Sequence, residues 1–382
     1  MALTLITSPA ELSYTRNPIN IMVELESDPE FEDVYALCLI YDTLTNLVTT
    51  LFARPDSNYR VSFEVSSVLN TLTRFSVPAY IALNETKTNF VIPYWCKIQQ
   101  YSKGLLVNGV DVGLSGSDLI LFAIKGGLAQ EKSTLLIFTM LSLKHMFLTW
   151  LIEAKVTQAQ PYWLYYLHQQ ADENIIAKAK VYYSDGTNTT TTLNDFGIVS
   201  KYNLLKIATG FTQQALGDLQ PLKIPIYYEV WMETVTAVLR AGNFTYNLIS
   251  TYVPYPVYIA NANSLGGFDF IVMKGNITTG ITPKVTELEH YNASAAKIIS
   301  FNHTIERNRK AATGHISKHR LQSLTDIFLT DQSYEILNTS YLKIAVSTKT
   351  KLEFNETDNL FGMLLEYRRS YINKNFTPDD TN

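Results

Sequence analysis

Apolar residues fall on every second position in stretches from both halves of this chain, a rhythm that only extended strands can use, because successive strand side chains point to opposite faces. Ile19, Ile21, Val23 and Leu25 share one face against Asn20, Glu24 and Glu26, and Val61, Phe63 and Val65 alternate with Ser62, Glu64 and Ser66. Ile224, Ile226, Tyr228, Val230 and Met232 alternate with Lys223, Tyr227, Glu229 and Glu233, and Leu342, Ile344 and Val346 with Tyr341, Lys343 and Ser347. Each reads as a half-buried strand. Helical spacing is brief: Val68, Leu69 and Leu72 follow Ser66, and Leu321, Leu324 and Phe328 follow Ser317, whose hydroxyl can cap the opening turn. The expected class is mainly β, with a few short helices.

The rest of the composition agrees. Charged residues make up 17% of the 382 and are replaced by Thr, Asn, Ser and 24 Tyr, which excludes intrinsic disorder, a coiled coil and a salt-bridge-laced helical surface. Length predicts two or three domains. A net charge of −4 supplies no global field towards nucleic acid or an anionic membrane, so no nucleic-acid partner is expected.

Met1 to Pro9 carry no Lys or Arg and no apolar core, so no secretory signal is expected and the chain starts inside a cell. There the nine Asn-X-Ser/Thr sequons (at Asn84, Asn188, Asn243, Asn276, Asn292, Asn302, Asn338, Asn355 and Asn375) are turns and edges. Cys38 and Cys96 have a separation compatible with the inter-sheet pair of an immunoglobulin-type sandwich; in a reducing compartment two buried thiols are the expectation instead. Ser133 to Ile152 approaches membrane-spanning length, but Lys144 and His145 sit at its centre, so buried strands, or a strand and a short helix, are expected and no membrane span.

Internal order repeats. NPINIMVELESD, VYALCLIYD, NYRVSFEV and a short helix parallel PYWLYYLHQQADE, IIAKAKVYYSD, KYNLLKIA and FTQQALG, with Tyr41 matching Tyr183 and Tyr59 matching Tyr202. This predicts two copies of one β-sandwich module, immunoglobulin-like or fibronectin-III-like. The expected divisions are 1–103 for the first module, 104–152 for an apolar connector with Gly126 and Gly127, 153–256 for the second module ending at Pro254 and Pro256, and 257–382 for a C-terminal β-rich assembly domain.

No constellation points to catalysis or to a cofactor. The phosphate-cradling loop and the dinucleotide fingerprint are absent, and the Gly113 to Ser117 cluster lacks the spacing of a serine elbow. His315 and His319 are four apart without a third ligand, so no metal is expected. The acid pairs Glu287 with Glu289 and Asp379 with Asp380 read as solvated. A basic run from Arg307 through Arg309, Lys310 and Lys318 to Arg320 has no interleaved aromatics and reads as a solvated loop or a protein interface. Trp163, Tyr165 and Tyr166, and Tyr227 with Trp231, fit three roles: core, protein interface or glycan platform. Gly266 and Gly267 lie between a strand and an aromatic strand and predict a tight turn or bulge facing a neighbour.

Four segments carry a resemblance: SPAELSYTRNPINI from Ser8, NSLGGFDFIVMKG from Asn263, TGHISKHRLQSLTDIFLTDQSYEI from Thr313 and EYRRSYINKNFTP from Glu366. Together they resemble the tail and baseplate structural proteins of bacteriophages infecting Bacteroidota, including crAss-like phages. The resemblance implies tandem immunoglobulin-like β-domains, assembly in the host cytoplasm and structural work in the virion, with no catalytic residue to carry over. The sequence-level expectation is therefore a non-enzymatic tail-tip, baseplate or ring component. Its partners would be copies of itself in a symmetric ring and other virion tail proteins. The alternative is an adhesin or carbohydrate-binding module that meets a glycan receptor through exposed Tyr and Trp.

Overall fold

The computed structural model describes residues 3–77, 84–88, 90–116, 118–129, 146–292, 295–337, 340–355 and 360–370, and they form a mainly β protein of several sheets with short helices. The first module contains β1 (Thr4–Thr7), β2 (Leu12–Tyr14), β3 (Asn20–Glu24), β4 (Tyr35–Tyr41), β5 (Leu47–Ala53), β6 (Arg60–Glu64), helix α1 (Ser66–Leu72), β7 (Asn84–Lys87), β8 (Ile92–Ser102), β9 (Leu105–Val112), the short pair β10 (Leu114–Ser115) and β11 (Asp118–Leu119), and β12 (Leu121–Ile124). One sheet runs β2-β12-β8-β4-β5 with β9 beside β8, and faces the sheet β1-β3-β6. The inward residues of the two make one core, with Ile21, Val23, Val61 and Phe63 from one side and Ala36, Cys38, Ile40 and Ile98 from the other. The two cysteines are buried free thiols on neighbouring strands. A hydrogen bond donated by the Cys96 thiol to Cys38, together with burial, pushes the Cys96 pKa up.

The second module contains β13 (Glu153–Val156), β14 (Trp163–Leu167), β15 (Glu173–Tyr183), β16 (Asn188–Val199), β17 (Leu204–Ala208), β18 (Pro225–Thr234) and β19 (Leu239–Leu248). Its sheets run β13-β19-β18-β15-β16 and β14-β17-β7. The two modules superpose by connectivity. β4 and β15 both sit between a hairpin partner and β8 or β18, β3 and β14 both pair antiparallel with β6 or β17, and β2 and β13 both join their sheet in parallel. That strand order is the immunoglobulin-like sandwich. Tyr59 and Tyr202, matched on sequence order alone, both hold the left-handed backbone conformation just ahead of the corresponding strands, at φ of 59° and 66°.

Lys103 and Gly104 form the turn of the β8–β9 hairpin, so the sheet of the first module continues past them through β9 and β12. In the same way β7 leaves the first module to pair with β17 of the second, Asn84 facing Ile207 and Lys87 facing Leu204. The apolar stretch from Ser133 lies outside the described residues as far as His145; Phe147, Leu148 and Leu151 beyond it are buried. Among the described residues no helix is long and apolar enough to cross a membrane.

The third body contains β20 (Val257–Ala262), β21 (Phe268–Met273), β22 (Ile277–Asn292), β23 (Ala295–Ala312), helix α2 (Lys318–Ser323), β24 (Ser333–Leu337), β25 (Ser340–Val346), β26 (Lys351–Asn355) and β27 (Leu360–Arg369). Its sheet runs β21-β20-β24-β25-β27-β23-β22, with β26 on β27. Ser317 caps α2 as expected, its Oγ accepting from the Arg320 N–H at 3.3 Å. Leu321 and Leu324 pack on Ile259, Ile271, Met273 and Leu365. The opposite face of β20 and β21 joins the core of the second module through Ala260, Phe268 and Phe270.

This sandwiching corrects the surface reading of Trp163 and Tyr165, which are each 1% exposed. All five residues of β14 are buried because one face meets its own module and the other meets β21, with Trp163 5.4 Å and Tyr165 5.9 Å from the rings of Phe270 and Phe268. The apolar residues on both faces of β14 match that double cover.

Candidate assembly surfaces

β22 and β23 are far longer than the sheet they belong to. β27 pairs with β23 only from Asn308 to Ala312, whereas β22 pairs with β23 from Ile277 to Asn292. Beyond the Ile281–Arg307 pair the two strands continue as an arm with no third strand among the described residues. At about 3.3 Å per residue, the twelve positions from Ile281 to Asn292 reach roughly 40 Å. Thr278 to Glu287 are all exposed, including Ile281 at 60% and Val285 at 41%, so neither face of this part of the arm is covered. Pro283 sits on the outer edge strand, where a missing N–H breaks no ladder bond.

The basic run anchors this arm. Arg307, Arg309 and Lys310 belong to β23, which corrects the loop expectation, and acids on neighbouring strands answer Arg309 and Lys310. Arg309 and Arg369 bracket the buried carboxylate of Glu335, Lys310 meets Glu366 at 3.1 Å, and Arg368 with Lys284 holds Glu306 at 2.7 and 2.6 Å. The hydrogen bond from Lys284, with the charges of Lys284 and Arg368, keeps the Glu306 carboxyl pKa below its usual range against desolvation. Arg309 and Lys310 meet acids that come from β24 and β27, which a sequence window around the run does not contain. Of the proposed acid and histidine pairs, Glu287 is exposed on the arm and His315 is exposed ahead of α2. The side chains of Glu289 and His319, and the Asp379–Asp380 pair, lie outside the described residues. Among the described residues no group of His, Cys, Asp and Glu has the arrangement of a metal site.

Gly266 and Gly267 do form a turn that a neighbour approaches closely, but the neighbour is this chain. Gly266 has φ of 93°, and a Cβ there would stand 2.6 Å from the Lys125 carbonyl oxygen; at Gly267 it would stand 2.5 Å from that of Leu148. Asn263 organises the turn. Its Oδ1 accepts from the N–H groups of Leu265 and Gly267 at 3.1 and 3.0 Å, and its Nδ2 donates to Leu148 O at 2.8 Å. Ser264 links outward in three directions, to Gly127 N–H, to the Trp150 indole at 2.9 Å and, through its own N–H, to Asp326 at 2.7 Å. Residues 263–269 are thus the keystone where all three bodies meet.

Asp269 at the end of this segment is fully buried and accepts from Thr149 Oγ1 at 2.6 Å. Burial pushes its carboxyl up to about 7, against the pull of Thr149, Asn263 and Arg320. The folded protein therefore holds a proton that the unfolded chain, with an ordinary Asp near 3.9, has lost by neutral pH. Stability from this group is complete below about pH 4 and declines as pH rises towards 7. Buried His168, its pKa lowered by desolvation, pulls the other way near pH 6, so the informative quantity is a difference between proteins. The Asp269→Asn variant is expected to gain on the wild type by on the order of 2 kcal/mol between pH 5.5 and pH 7, measured by denaturant unfolding at each pH. A difference independent of pH would refute the assignment.

Tyr227 and Trp231 lie half-buried on the outer face of the β13-β19-β18-β15-β16 sheet. Tyr227 stacks on Tyr182 at 4.3 Å, Lys180 covers Tyr182 at 4.9 Å, and the Trp231 indole N–H donates to Glu233 at 2.7 Å. Those rings are partly occupied by one another.

No protein-family model matches the chain, and no curated protein sequence matches it. Among solved structures it is similar to the crystal structure of invasin, a bacterial integrin-binding protein, at 8% identity and a TM-score of 0.27, over 97% of this chain and 73% of that one. Similarity at that level carries no argument.

Proposed function

We propose that this chain is a non-catalytic building block of a multi-subunit assembly, and that the assembly is a bacteriophage tail structure, a ring or baseplate, as the sequence resemblance implies. The observation that supports the assembly role is the arm. An isolated two-stranded hairpin is marginal in water, and ten consecutive residues of one of its strands, Thr278 to Glu287, are exposed. Such a ribbon has its use against another subunit. The three bodies beneath it are fused by β7 and by the 263–269 keystone, which gives the arm a rigid base. An adhesin is the second reading, favoured by the outward Tyr227 and Trp231 on the same sheet as the Thr-rich strand β16.

The deciding experiment shortens the arm by replacing residues 282–306 with an Asn-Gly turn, so that Ile281 and Arg307 still close the hairpin. The full chain should sediment as a concentration-dependent oligomer, and the shortened chain as a monomer with the same circular-dichroism spectrum. A full chain that stays monomeric at 100 μM would remove the support for this reading, while glycan binding lost on Trp231→Ala would favour the adhesin.

A further inference from the structure

Lys206, 1% exposed, reaches Glu85 at 2.6 Å, and Arg240, Lys178, Arg309 and Arg369 close on Glu173, Glu233 and Glu335. These cations leave solvent beside carboxylates. Arg320 on α2 does not. It is 8% exposed, and among the described residues its guanidinium makes no hydrogen bond and no ion pair. A guanidinium carries five N–H donors and a fixed positive charge, and burying it with no acceptor is costly enough that native proteins supply one.

The fold sets two more cations around it. Leu321 and Leu324 of α2 pack on Ile271 and Met273 of β21, and Asp269 lies on that same face of the strand by its period of two. Lys274 follows Met273 and runs along the loop that leads into α2, its Cε 3.5 Å from the point that a Cβ on Gly314 would occupy. Lys155 comes from β13 of the second module. Two residues further on, the Thr157 hydroxyl bonds the Tyr258 hydroxyl at 2.9 Å, and Tyr258 stands opposite Val272 at the end of β21. Burial lowers the Lys274 pKa, and the charges of Lys155 and Arg320 lower it further. Neither lysine has an ion-pair partner among the described residues. The acids whose charge reaches Arg320 are Asp269, which holds its proton up to about pH 7, and Glu153, which is exposed. Below neutral pH three cations therefore converge on this seam against one solvated carboxylate.

We infer that the seam between β13 of the second module and β21 with α2 of the third body binds a small oxyanion of the sulfate or phosphate class, held by the Arg320 guanidinium together with the Lys155 and Lys274 ammonium groups. The planar fork of an arginine matches two oxygens of such an ion, and a tetrahedral ion keeps further oxygens for the two lysines. With Arg320 so little exposed, a small ion reaches the fork where a partner's side chain would not. One ion bridging Lys155 to Lys274 and Arg320 also ties the second module to the third body, on the flank of the 263–269 keystone.

The test titrates sodium sulfate into the full chain by isothermal calorimetry at pH 6, where Asp269 is protonated, with ionic strength held constant by sodium chloride. Sulfate is the probe because its charge is the same throughout this pH range. One sulfate per chain should bind with a Kd below about 1 mM. Lys155→Met with Lys274→Met alters two side chains at the rim, so the fold should persist while binding weakens by roughly tenfold or more. Arg320→Lys keeps the charge but loses the fork and should weaken binding likewise. Sulfate should also slow amide hydrogen exchange in residues 153–156 and 268–273 of the wild type and leave the double variant unchanged. Absence of saturable binding, equal affinity in the double variant, or slowing that is the same in both proteins would overturn the inference.

Discussion

Gly267→Val should leave almost no folded protein. Its Cβ would sit 2.5 Å from the Leu148 carbonyl oxygen and 3.1 Å from the Leu148 Cβ; the first of these is a backbone atom that cannot swing aside. Leu148 is itself pinned, its N–H donating to Tyr165 O at 2.7 Å and its C=O accepting from Asn263. Relief requires parting the second module from the third body, and the penalty lies in the range above about 4 kcal/mol reserved for strain and overpacking in a core. Gly266→Val adds a left-handed φ to a 2.6 Å backbone collision and should behave alike. Gly186 is the matched control: it has φ of 82° with open space around it, so Gly186→Ala should cost only about 1 to 2 kcal/mol. Soluble yield and thermal unfolding of the three variants provide the comparison. Equal behaviour of Gly267→Val and Gly186→Ala would mean that the keystone is not packed as described.

The second large effect is expected where β7 crosses into the second module. Lys206 is 1% exposed, reaches Glu85 at 2.6 Å and Val77 O at 3.2 Å, and belongs to a strand that is otherwise apolar. Burial lowers the Lys206 pKa despite Glu85. For Glu85 burial works to raise the pKa, and the hydrogen bonds from Lys206 and Lys87 outweigh it, leaving the carboxyl below its usual value. Lys206→Met removes the buried half of the pair and leaves Glu85 with Lys87 as its cationic partner, which should cost about 2 kcal/mol, whereas removing both charges is nearly neutral. The single variant should therefore melt several degrees lower and become sensitive to protease between Arg74 and Phe90, and Lys206→Met with Glu85→Leu should recover most of the loss. Because the folded Glu85 pKa is depressed, its contribution is present above about pH 4.5 and lost as pH falls further. Equal stability of the single and double variants would show that the pair does not hold the junction.

Much of the fold was legible in the sequence because a half-buried strand writes its own pattern. Ile19 to Leu25 and Val61 to Val65 alternate inward as read, as do Tyr228, Val230 and Met232. Ile224 and Ile226 carry the same rhythm but are 70% and 49% exposed, since they lie at the end of β18 where the facing sheet does not reach. The repeat of Tyr59 in Tyr202 was visible as order, and the shared positive φ gives it a backbone cause. Of the candidate assembly surfaces, the arm left little trace: alternating Thr, Lys and Glu in β22 look like any solvated edge until the register shows fifteen of its sixteen residues paired to one neighbour.

The sequence by itself determined that this is a strand-built chain, that it repeats a sandwich, and that certain strands, YALCLIY and WLYYL among them, are apolar on both sides. Only the tertiary structure decided who covers those sides. Trp163 and Tyr165 are taken up by β21, the Gly266–Gly267 turn receives the chain's own Leu148 and Lys125, and the outer residues of β4 receive nothing from the described residues of this copy. The reason is physical: hydrophobic periodicity reports that a side chain gains by leaving water, a local property, whereas the surface that takes it in is set by contacts between residues a hundred or more positions apart.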